Sequence, residues 1–221
     1  YAIDWDTILL LFNGYAHRTP LPALSGDFGY ADYADDLMQY AYNYDPDKAR
    51  QLLAEAGYPD GFETVIEGPN STYPNSVEVL QAVAAQLAEV GIKAEVKVYE
   101  YLVYFNDTYQ AHKLQGIGIY NMGNPIFDPD HLMGIHFDPD RSTQMYYQNP
   151  ELTELIHKGT TTVDRTERIA IYREAMQLLL EQAPFIWGYG VQQIYAVRSD
   201  IQWTPRTDVK IYPAEMSFIQ P

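Results

Sequence analysis

Hydrophobic positions along the chain follow two different spacings. In six stretches apolar residues recur every three or four positions, which predicts helices with one buried face. In three shorter stretches they alternate with polar residues or form compact runs, which predicts β-strands. The predicted helices cover residues 1–16, 45–57, 73–91, 101–112, 149–159 and 163–184, and the predicted strands cover residues 62–68, 92–100 and 116–120.

Residues with capping chemistry mark the ends of these helices. Asp45 precedes Pro46 at the start of one helix, and Gly57 ends it. Asp164 and Glu167 form the pattern of a capping box. The predicted buried faces are Ala49, Leu52, Leu53 and Ala56 in helix 45–57; Val77, Leu80, Ala84 and Leu87 in helix 73–91; and Tyr172, Ala175, Met176 and Leu179 in helix 163–184.

Helices and strands alternate through the middle of the chain. This order is typical of an α/β fold, and we expect a mixed sheet flanked by helices. Residues 184–203 contain Gly188 and Gly190 and are predicted to form a β-hairpin around one of them. Residues 15–44 have no strong period, so we expect an extended loop that its tyrosines anchor to the rest of the chain.

Length and composition narrow the class of protein. Residues 1–221 suffice for one substantial domain. The chain starts inside an amphipathic pattern and without an initiator methionine, which indicates a piece excised from a longer protein. A formal net charge of −16 repels phosphate backbones and anionic lipids, so binding to nucleic acid or to a membrane surface is disfavoured. The absence of cysteine excludes disulfides, thiolate metal sites and cysteine nucleophiles.

The segment 124–147 concentrates side chains that bind metals, because it holds two Phe-Asp-Pro-Asp motifs with two histidines between them. A calcium loop would need oxygen ligands at alternating positions around a central glycine, and that pattern is absent. His131 and His136 are five residues apart and do not share a helical face. Asp128 is instead placed to cap a short helix, and Asp138 to form a turn. We therefore interpret the segment as structural and predict no metal site.

Catalytic motifs are also missing. The sequence has no nucleophile elbow, zincin motif, phosphate-binding loop or dinucleotide fingerprint. His17, His112 and His157 are isolated in the sequence and are interpreted as surface or packed residues. A glycosidase would need two carboxylates across a cleft, whereas the acidic residues here lie mainly at helix caps and on exposed helix faces. We therefore predict that the chain is not an enzyme and needs no cofactor.

The order of these motifs resembles the C-terminal lobe of bacterial extracellular solute-binding proteins of the oligopeptide, dipeptide and nickel type. The resemblance extends from Ala2 to about Ser217. It is carried by the runs YDPDKARQLLAEAGYPDGFE, YPNSVEVLQAVAAQLAEVGIKAEVKVYEY and DRTERIAIYREAMQLLLEQAP followed by an aromatic segment.

The resemblance implies one ligand-binding lobe of a two-lobed periplasmic-binding-protein-like fold. Such proteins close two lobes over a ligand and deliver it to the permease of an ABC importer. The implied ligand is a short peptide, with an oligosaccharide as the alternative. The implied location is periplasmic or otherwise extracytoplasmic, with a lipid anchor as one option. A lobe on its own is expected to self-associate through the surface that normally faces the other lobe.

The resemblance also implies which loops contact the ligand, namely residues 67–75 and 118–130. Related peptide binders carry an arginine in the first loop. In the second they carry an aspartate a few residues before the Asp128-Pro129-Asp130 motif, with a tryptophan near it, and these three residues are not found here. Neutral groups therefore take their place. The predicted ligand-binding residues are Asn70, Thr72, Tyr73, Tyr120, Asn121, Met122 and Asn124.

Overall fold

The computed structural model describes residues 1–142 and 146–219. Its α-helices are α1 (Trp5–Leu9), α2 (Tyr30–Leu37), α3 (Pro46–Glu55), α4 (Ser76–Glu89), α5 (Pro129–Phe137), α6 (Pro150–Thr161) and α7 (Arg165–Gln182). Its strands are β1 (Ala16–Arg18), β2 (Phe62–Pro69), β3 (Ile92–Tyr99), β4 (Ile117–Gly118), β5 (Tyr189–Val191), β6 (Ile201–Gln202) and β7 (Ser217–Phe218). A π-helix spans Val103–Tyr109, and short 3₁₀ turns cover Leu10–Phe12, Met38–Tyr40 and Pro213–Glu215.

The central sheet has the strand order β3-β2-β4, and both of its pairings are parallel. Parallel strands require crossover connections. Helix α4 lies in the connection between the neighbours β2 and β3, and the π-helix lies in the connection from β3 to β4, which pairs with the other side of β2. Antiparallel pairs occur separately, as β1 with β5 and β6 with β7. The α/β prediction is confirmed, but within the described residues the parallel and antiparallel pairings lie in different sheets and do not form one mixed sheet.

Two hydrophobic cores hold these elements together. The sheet core packs α4 and α1 against β2, with Ile8, Ile66 and Leu80 among its buried members. The helical core packs α2, α5, α6 and α7 together, and five of its members on α7 have no solvent exposure, namely Tyr172, Ala175, Met176, Leu179 and Leu180. In the part of the chain that the structure describes, no helix has both the length and the apolarity to cross a membrane.

The caps predicted at two helix starts are confirmed. The Asp45 carboxylate accepts a hydrogen bond from the Lys48 amide at 2.9 Å, and the Asp164 carboxylate accepts one from the Glu167 amide at 2.9 Å. The buried face of α7 is also as predicted, because Tyr172, Ala175, Met176 and Leu179 have no solvent exposure.

The buried faces of α3 and α4 differ from the prediction. In α4 the helix turns Val79, Leu80, Val83 and Leu87 inward, and Val77 and Ala84 are only half-buried. In α3 only Ala49 is buried and Leu52 is exposed. Both helices are apolar around more than one face, so spacing alone could not determine which side meets the sheet.

The prediction that residues 15–44 form an extended loop is wrong, because these residues contain β1 and α2. Tyr33, Ala34 and Leu37 of α2 are buried, and the helix packs against α7. The sequence hides this helix because Gly29, with φ at 77°, precedes it where a polar capping residue is usual. Tyrosines do anchor the region, since the Tyr42 hydroxyl donates to the Leu180 carbonyl at 2.8 Å.

The predicted hairpin around Gly188 or Gly190 is also wrong. Strand β5 pairs with β1, so Tyr189 lies opposite Arg18. The two glycines serve close packing and not a turn. A Cβ at Gly188 would lie 2.9 Å from the Trp5 ring, and one at Gly190 would lie 3.0 Å from the His17 ring.

Candidate ligand-binding site

The candidate site is the edge of the central sheet where its three parallel strands end. Strands β2, β3 and β4 run in the same direction, so the chain leaves all three at this edge. In open parallel sheets, ligands bind outside the carboxyl ends of the strands. We call this surface the carboxyl edge and define it by residues 70–75, 100–105 and 119–127.

The segment after β2 is held by its backbone. The Asn70 amide donates to the Tyr99 carbonyl at 2.7 Å, and the Ser76 hydroxyl donates to the Pro69 carbonyl at 2.9 Å. Thr72 has a positive φ of 80°, a conformation that is costly for a β-branched residue. The side chains of Asn70 and Thr72 are exposed, so the segment presents neutral polar groups to solvent.

Three tyrosines, one after each strand, meet at the carboxyl edge. The Tyr73 ring lies 6.2 Å from the Tyr101 ring, nearly perpendicular to it. Burial raises the pKa of the Tyr73 hydroxyl, and the nearby hydroxyls of Tyr101 and Tyr120 raise it further, against the opposing effect of a hydrogen bond with the Asn121 backbone. The Tyr73 phenol therefore remains protonated and uncharged at neutral pH.

An aromatic ladder supports this group of tyrosines. It consists of Tyr101, Phe105, Tyr109 and Tyr120, whose rings lie within 14° of parallel wherever they stack. The Tyr109 and Tyr120 centroids are 4.5 Å apart. The His136 ring meets the edge of Tyr120 at 5.4 Å, and burial lowers the pKa of His136 to about 4. This histidine is therefore neutral at physiological pH and brings no charge to the ladder.

The buried carboxylate of Glu67 lies beneath the site. The Tyr99 hydroxyl donates to one of its oxygens at 2.8 Å, and the Gln115 amide donates to the other at 2.6 Å. Glu67 is only 1% exposed. Its acceptors serve the packing of β2 against its neighbours, so it does not supply a charge for a ligand.

The carboxyl edge as a whole lacks positive charge. Its three segments contain no lysine, arginine or histidine. Their one acidic side chain, Glu100, accepts hydrogen bonds from the Leu102 and Val103 amides at the start of the helical turn. Apart from the exposed carboxylate of Glu100, a ligand here would therefore meet neutral hydrogen-bonding groups, apolar side chains and aromatic rings.

The seven predicted residues divide between surface and interior. Asn70, Thr72 and Asn121 are exposed, Tyr73 and Tyr120 are half-buried, and Met122 is half-buried against the helical core. Asn124 is the exception, because it is 4% exposed and its side-chain amide donates to Asp27 at 2.7 Å and to the Asp128 carbonyl at 3.0 Å. We therefore correct its role from ligand contact to support of the loop.

Sequence reasoning missed Tyr101 and Phe105. Both follow β3, which was predicted as a strand, but the loop after that strand was left out of the predicted site. The three predicted strands could have indicated these two residues, because parallel strands bring the segments that follow them to one edge of the sheet.

The acidic motifs have the structural role that was predicted. Asp128 caps α5 by accepting from the Asp130 amide at 2.9 Å, and Asp138 closes a turn by accepting from the Asp140 amide at 3.0 Å. Arg168 forms a two-pronged ion pair with Asp128, with N–O distances of 2.8 and 2.9 Å. Arg141 bonds to both Asp130 and Asp138.

His157 is isolated in the sequence, but in the structure it has two carboxylate neighbours. Its Nε2 lies 3.2 Å from the Asp138 carboxylate and 3.7 Å from that of Asp140. Donor atoms of these three residues fall within 4.8 Å of one another, a spacing that a metal ion could bridge. However, the Arg141 Nε already lies 2.5 Å from Asp138. Because a guanidinium competes with a cation for this carboxylate, we assign the group to the ion-pair network.

Acid is expected to destabilise the protein through Asp130 and Asp138. Burial acts to raise the pKa of each, but hydrogen bonds from Arg141 and other donors outweigh it and hold both pKa values below 3.8. Because the folded-state pKa is depressed, the stabilisation is present above the unfolded-state value and is lost as the pH falls through the folded-state value. Urea unfolding between pH 5 and pH 2 should show this loss. An equally steep loss in the Asp130→Asn/Asp138→Asn double variant would contradict the assignment.

Comparison with known proteins decides the family. The family model described as "Bacterial extracellular solute-binding proteins, family 5 Middle" matches residues 1–144. The chain belongs to this solute-binding family. The fold predicted from the resemblance is thereby confirmed.

Curated relatives of this family 5 chain are named for what they bind. Heme-binding protein A of Haemophilus influenzae is 30% identical over 198 residues, which cover 84% of this chain and 34% of the relative. Glutathione-binding protein GsiB of Pectobacterium atrosepticum is 29% identical over 204 residues, which cover 85% of this chain and 37% of the relative. The chain thus spans about a third of the length of these curated relatives.

Solved structures share the fold of this family 5 chain. HbpA2 from Haemophilus parasuis superposes with a TM-score of 0.80 at 21% identity, covering 98% of this chain and 43% of that one. The periplasmic binding protein DppA from Helicobacter pylori, in complex with the peptide STSA, gives a TM-score of 0.76 at 22% identity. It covers 99% of this chain and 42% of that one. Both likenesses support a lobe of the periplasmic-binding-protein fold.

Proposed function

We propose that this chain is one lobe of the solute-binding component of an ABC importer, and that its carboxyl edge contacts a short peptide when the two lobes close. The observation that carries the proposal is the convergence of three polar and aromatic loops, none of which contains a cation, at the ends of β2, β3 and β4. This arrangement binds and orients a ligand, and it contains no pair of groups suited to acid–base or nucleophilic chemistry. We therefore propose a role in transport and not in catalysis.

A peptide suits these groups because its main chain repeats one donor and one acceptor per residue. Asn70, Thr72 and Asn121 present exposed side chains that can pair with both. The relatives named for glutathione and the solved complex with the peptide STSA agree with a peptide ligand. The charged ends of the peptide would then pair with residues outside the carboxyl edge, since it has no cation.

An oligosaccharide is the second candidate. It is favoured by the half-buried rings of Tyr101 and Tyr120 beside neutral amide groups, since a sugar needs hydrogen bonds to its hydroxyls and an apolar surface for its ring faces. A sugar has no charged ends, so the absence of cations at the carboxyl edge would then need no other explanation.

The proposed partners follow from the same role. The full gene product would act in the periplasm or another extracytoplasmic space, free or lipid-anchored, and would hand its ligand to a membrane permease. Exposed apolar side chains within the carboxyl edge, Leu102, Val103 and Ile126, suit contact with a second lobe. Self-association of this lobe when it is produced alone remains a prediction.

Replacing both Asn70 and Asn121 with alanine is expected to weaken peptide binding by the full gene product. Each lost neutral hydrogen bond removes about 0.5–1.5 kcal/mol, so the double variant should bind roughly 5- to 150-fold more weakly. Isothermal titration with pooled tripeptides, and separately with pooled oligosaccharides, would measure the loss and identify the ligand class.

The matched control is Asn43→Ala, because Asn43 is exposed and lies in the loop before α3, outside the carboxyl edge. All variants should melt within about 1 °C of one another, since these side chains are on the surface. Unchanged binding in the double variant would overturn the placement of the site. Binding of oligosaccharides but not of peptides would replace the first candidate with the second.

A further inference from the structure

The rings at the carboxyl edge are arranged in parallel layers. Tyr101 stacks on Phe105 with centroids 5.9 Å apart and planes 14° apart, and Phe105 lies 6.2 Å from Tyr120 with planes 13° apart. Tyr109 covers Tyr120 at 4.5 Å and 3°. Edge-to-face contacts, by contrast, join Tyr73 to Tyr101 and His136 to Tyr120. The ring planes are therefore nearly parallel from buried Tyr109 to half-buried Phe105 and Tyr101.

These rings belong to neither hydrophobic core. Tyr101, Phe105, Tyr109 and Tyr120 are absent from the buried members of the sheet core and the helical core and from the residues packed against them. The inner ring, Tyr109, is buried against Tyr104 and Tyr146, whose ring centroids lie 6.4 and 5.1 Å away, so packing accounts for the inner end of the ladder but not for its outer end. Its outer rings are half-buried and lie at the same edge as the exposed amides of the site.

The backbone beneath the ladder is unusual. Residues Val103–Tyr109 form a π-helix, in which the Gln110 amide donates to the Phe105 carbonyl at 2.8 Å. π-Helical turns are rare, less favourable than α-helix and frequent at functional sites. Here the wider turn carries Phe105 and Tyr109 while Tyr101 precedes it, and the three rings remain stacked. A helix kept in a rare form to align three rings points to a ligand that uses those rings.

The ladder carries no charge. Burial raises the pKa of Tyr109 and of Tyr120, so both phenols stay protonated, and His136 beside them stays neutral. Uncharged parallel rings attract a further flat ring by offset stacking. They offer no counter-ion to a charged group.

We propose that the aromatic ladder is a subsite for a flat, uncharged aromatic ring of the captured ligand, such as the side chain of a phenylalanine in a peptide. The inference rests on the proposed function, because it places this ring in the same carboxyl edge that binds the ligand. The exposed amides of Asn70 and Asn121 contact the polar part of the ligand, and the ladder selects its side chain.

The test compares a flat ring with a puckered one of similar size. The probes are the tripeptide Ala-Phe-Ala and its analogue with cyclohexylalanine in place of phenylalanine, titrated into the full gene product by calorimetry. Aromatic stacking adds about 2- to 12-fold in affinity beyond apolar burial. We expect Ala-Phe-Ala to bind more tightly by that factor.

Two matched variants locate the effect. Phe105→Leu keeps an apolar side chain but removes the ring on which Tyr101, the outer ring of the ladder, is stacked, so the preference for the flat ring should disappear while binding of the cyclohexyl analogue changes little. Phe62→Leu is the control, because Phe62 opens β2 at the opposite edge of the sheet and is similarly accessible. Thermal melts of both variants check that the fold is intact.

The outcomes separate the subsite from the proposed function. If the two tripeptides bind equally, or if the preference survives in Phe105→Leu, the ladder is not a ring subsite and peptide capture stands. If neither tripeptide binds, peptide capture fails and 2-naphthol, a flat uncharged ring that is no peptide, becomes the probe. Shifts of the Phe105 ring resonances on adding 2-naphthol to protein with ¹³C-labelled phenylalanine would then support the subsite, and their absence would overturn it.

Discussion

Replacing Phe137 with alanine is expected to lower the free energy of unfolding by about 3–5 kcal/mol. Phe137 ends α5 in the helical core, is 1% exposed, and meets the Phe185 ring edge-to-face at 5.4 Å. The substitution removes a large buried side chain and leaves a cavity that Leu132 and Met133, both buried on the same helix, cannot fill without moving the backbone. Urea unfolding followed by circular dichroism would measure the change.

The matched control for this prediction is Phe218→Ala. Phe218 lies in the short strand β7 and is 72% exposed, so its removal should change the free energy of unfolding by no more than about 0.5 kcal/mol. Equal effects of the two substitutions would mean that α5 does not pack against the helical core as described.

Replacing Arg168 with methionine is expected to cost about 2–4 kcal/mol. The Arg168 side chain is 16% exposed, and it is the two-pronged partner of Asp128, the residue that caps α5. Its guanidinium also donates to the Gly159 carbonyl at 3.0 Å and lies 5.1 Å from the Phe28 ring centroid. Removing one partner of a buried pair leaves the other charge unpaired, which costs about 3–5 kcal/mol. The remaining solvent access of Asp128 reduces that cost.

The same substitution at Arg165 provides the control. Arg165 lies three residues earlier on α7, pairs with Asp32 at 3.1 Å, and also faces the Phe28 ring, but its side chain is 62% exposed. An exposed pair contributes about 0–1 kcal/mol. Chemical denaturation of both variants should therefore rank Arg168→Met well above Arg165→Met, and a reversed order would contradict the assigned network.

The Arg168 pair also affects the site at a distance. Asp128 ends the loop that begins after β4, and its carbonyl accepts from the Asn124 amide. Asn124 is tied in turn to buried Asp27, whose pKa is raised by burial. The loop that presents Asn121 is thus held in place by Asn124, Asp27, Asp128 and Arg168, which lie outside the proposed ligand contacts.

Periodicity and capping residues predicted the long elements well. Helix α7 has an aspartate cap at its start and apolar residues at three- and four-residue spacing, so its bounds and the buried residues Tyr172, Ala175, Met176 and Leu179 could be predicted without tertiary information. The same holds for β2 and β3, which alternate or carry compact apolar runs between glycines. Local chemistry is sufficient where one face is apolar and the ends carry caps.

Helix α2 shows where that approach fails. Its three buried residues lie among acidic ones, and a glycine in a left-handed conformation stands where a cap is expected. The helix forms because α7 offers an apolar surface that accepts Tyr33 and Leu37. Packing against a partner stabilises a helix of this length, which would be marginal on its own.

The candidate site was likewise determined partly by local sequence patterns and partly by tertiary structure. The sequence by itself determined the α/β class, the main helices and the two loops rich in asparagine and tyrosine, because these follow from the spacing and chemistry of nearby residues. Only the tertiary structure decided that Asn124 is interior, that Tyr101 and Phe105 join the site, and that β5 pairs with β1. The reason is physical: burial and strand pairing depend on residues far apart in the chain, and no local pattern records which surface a side chain will meet.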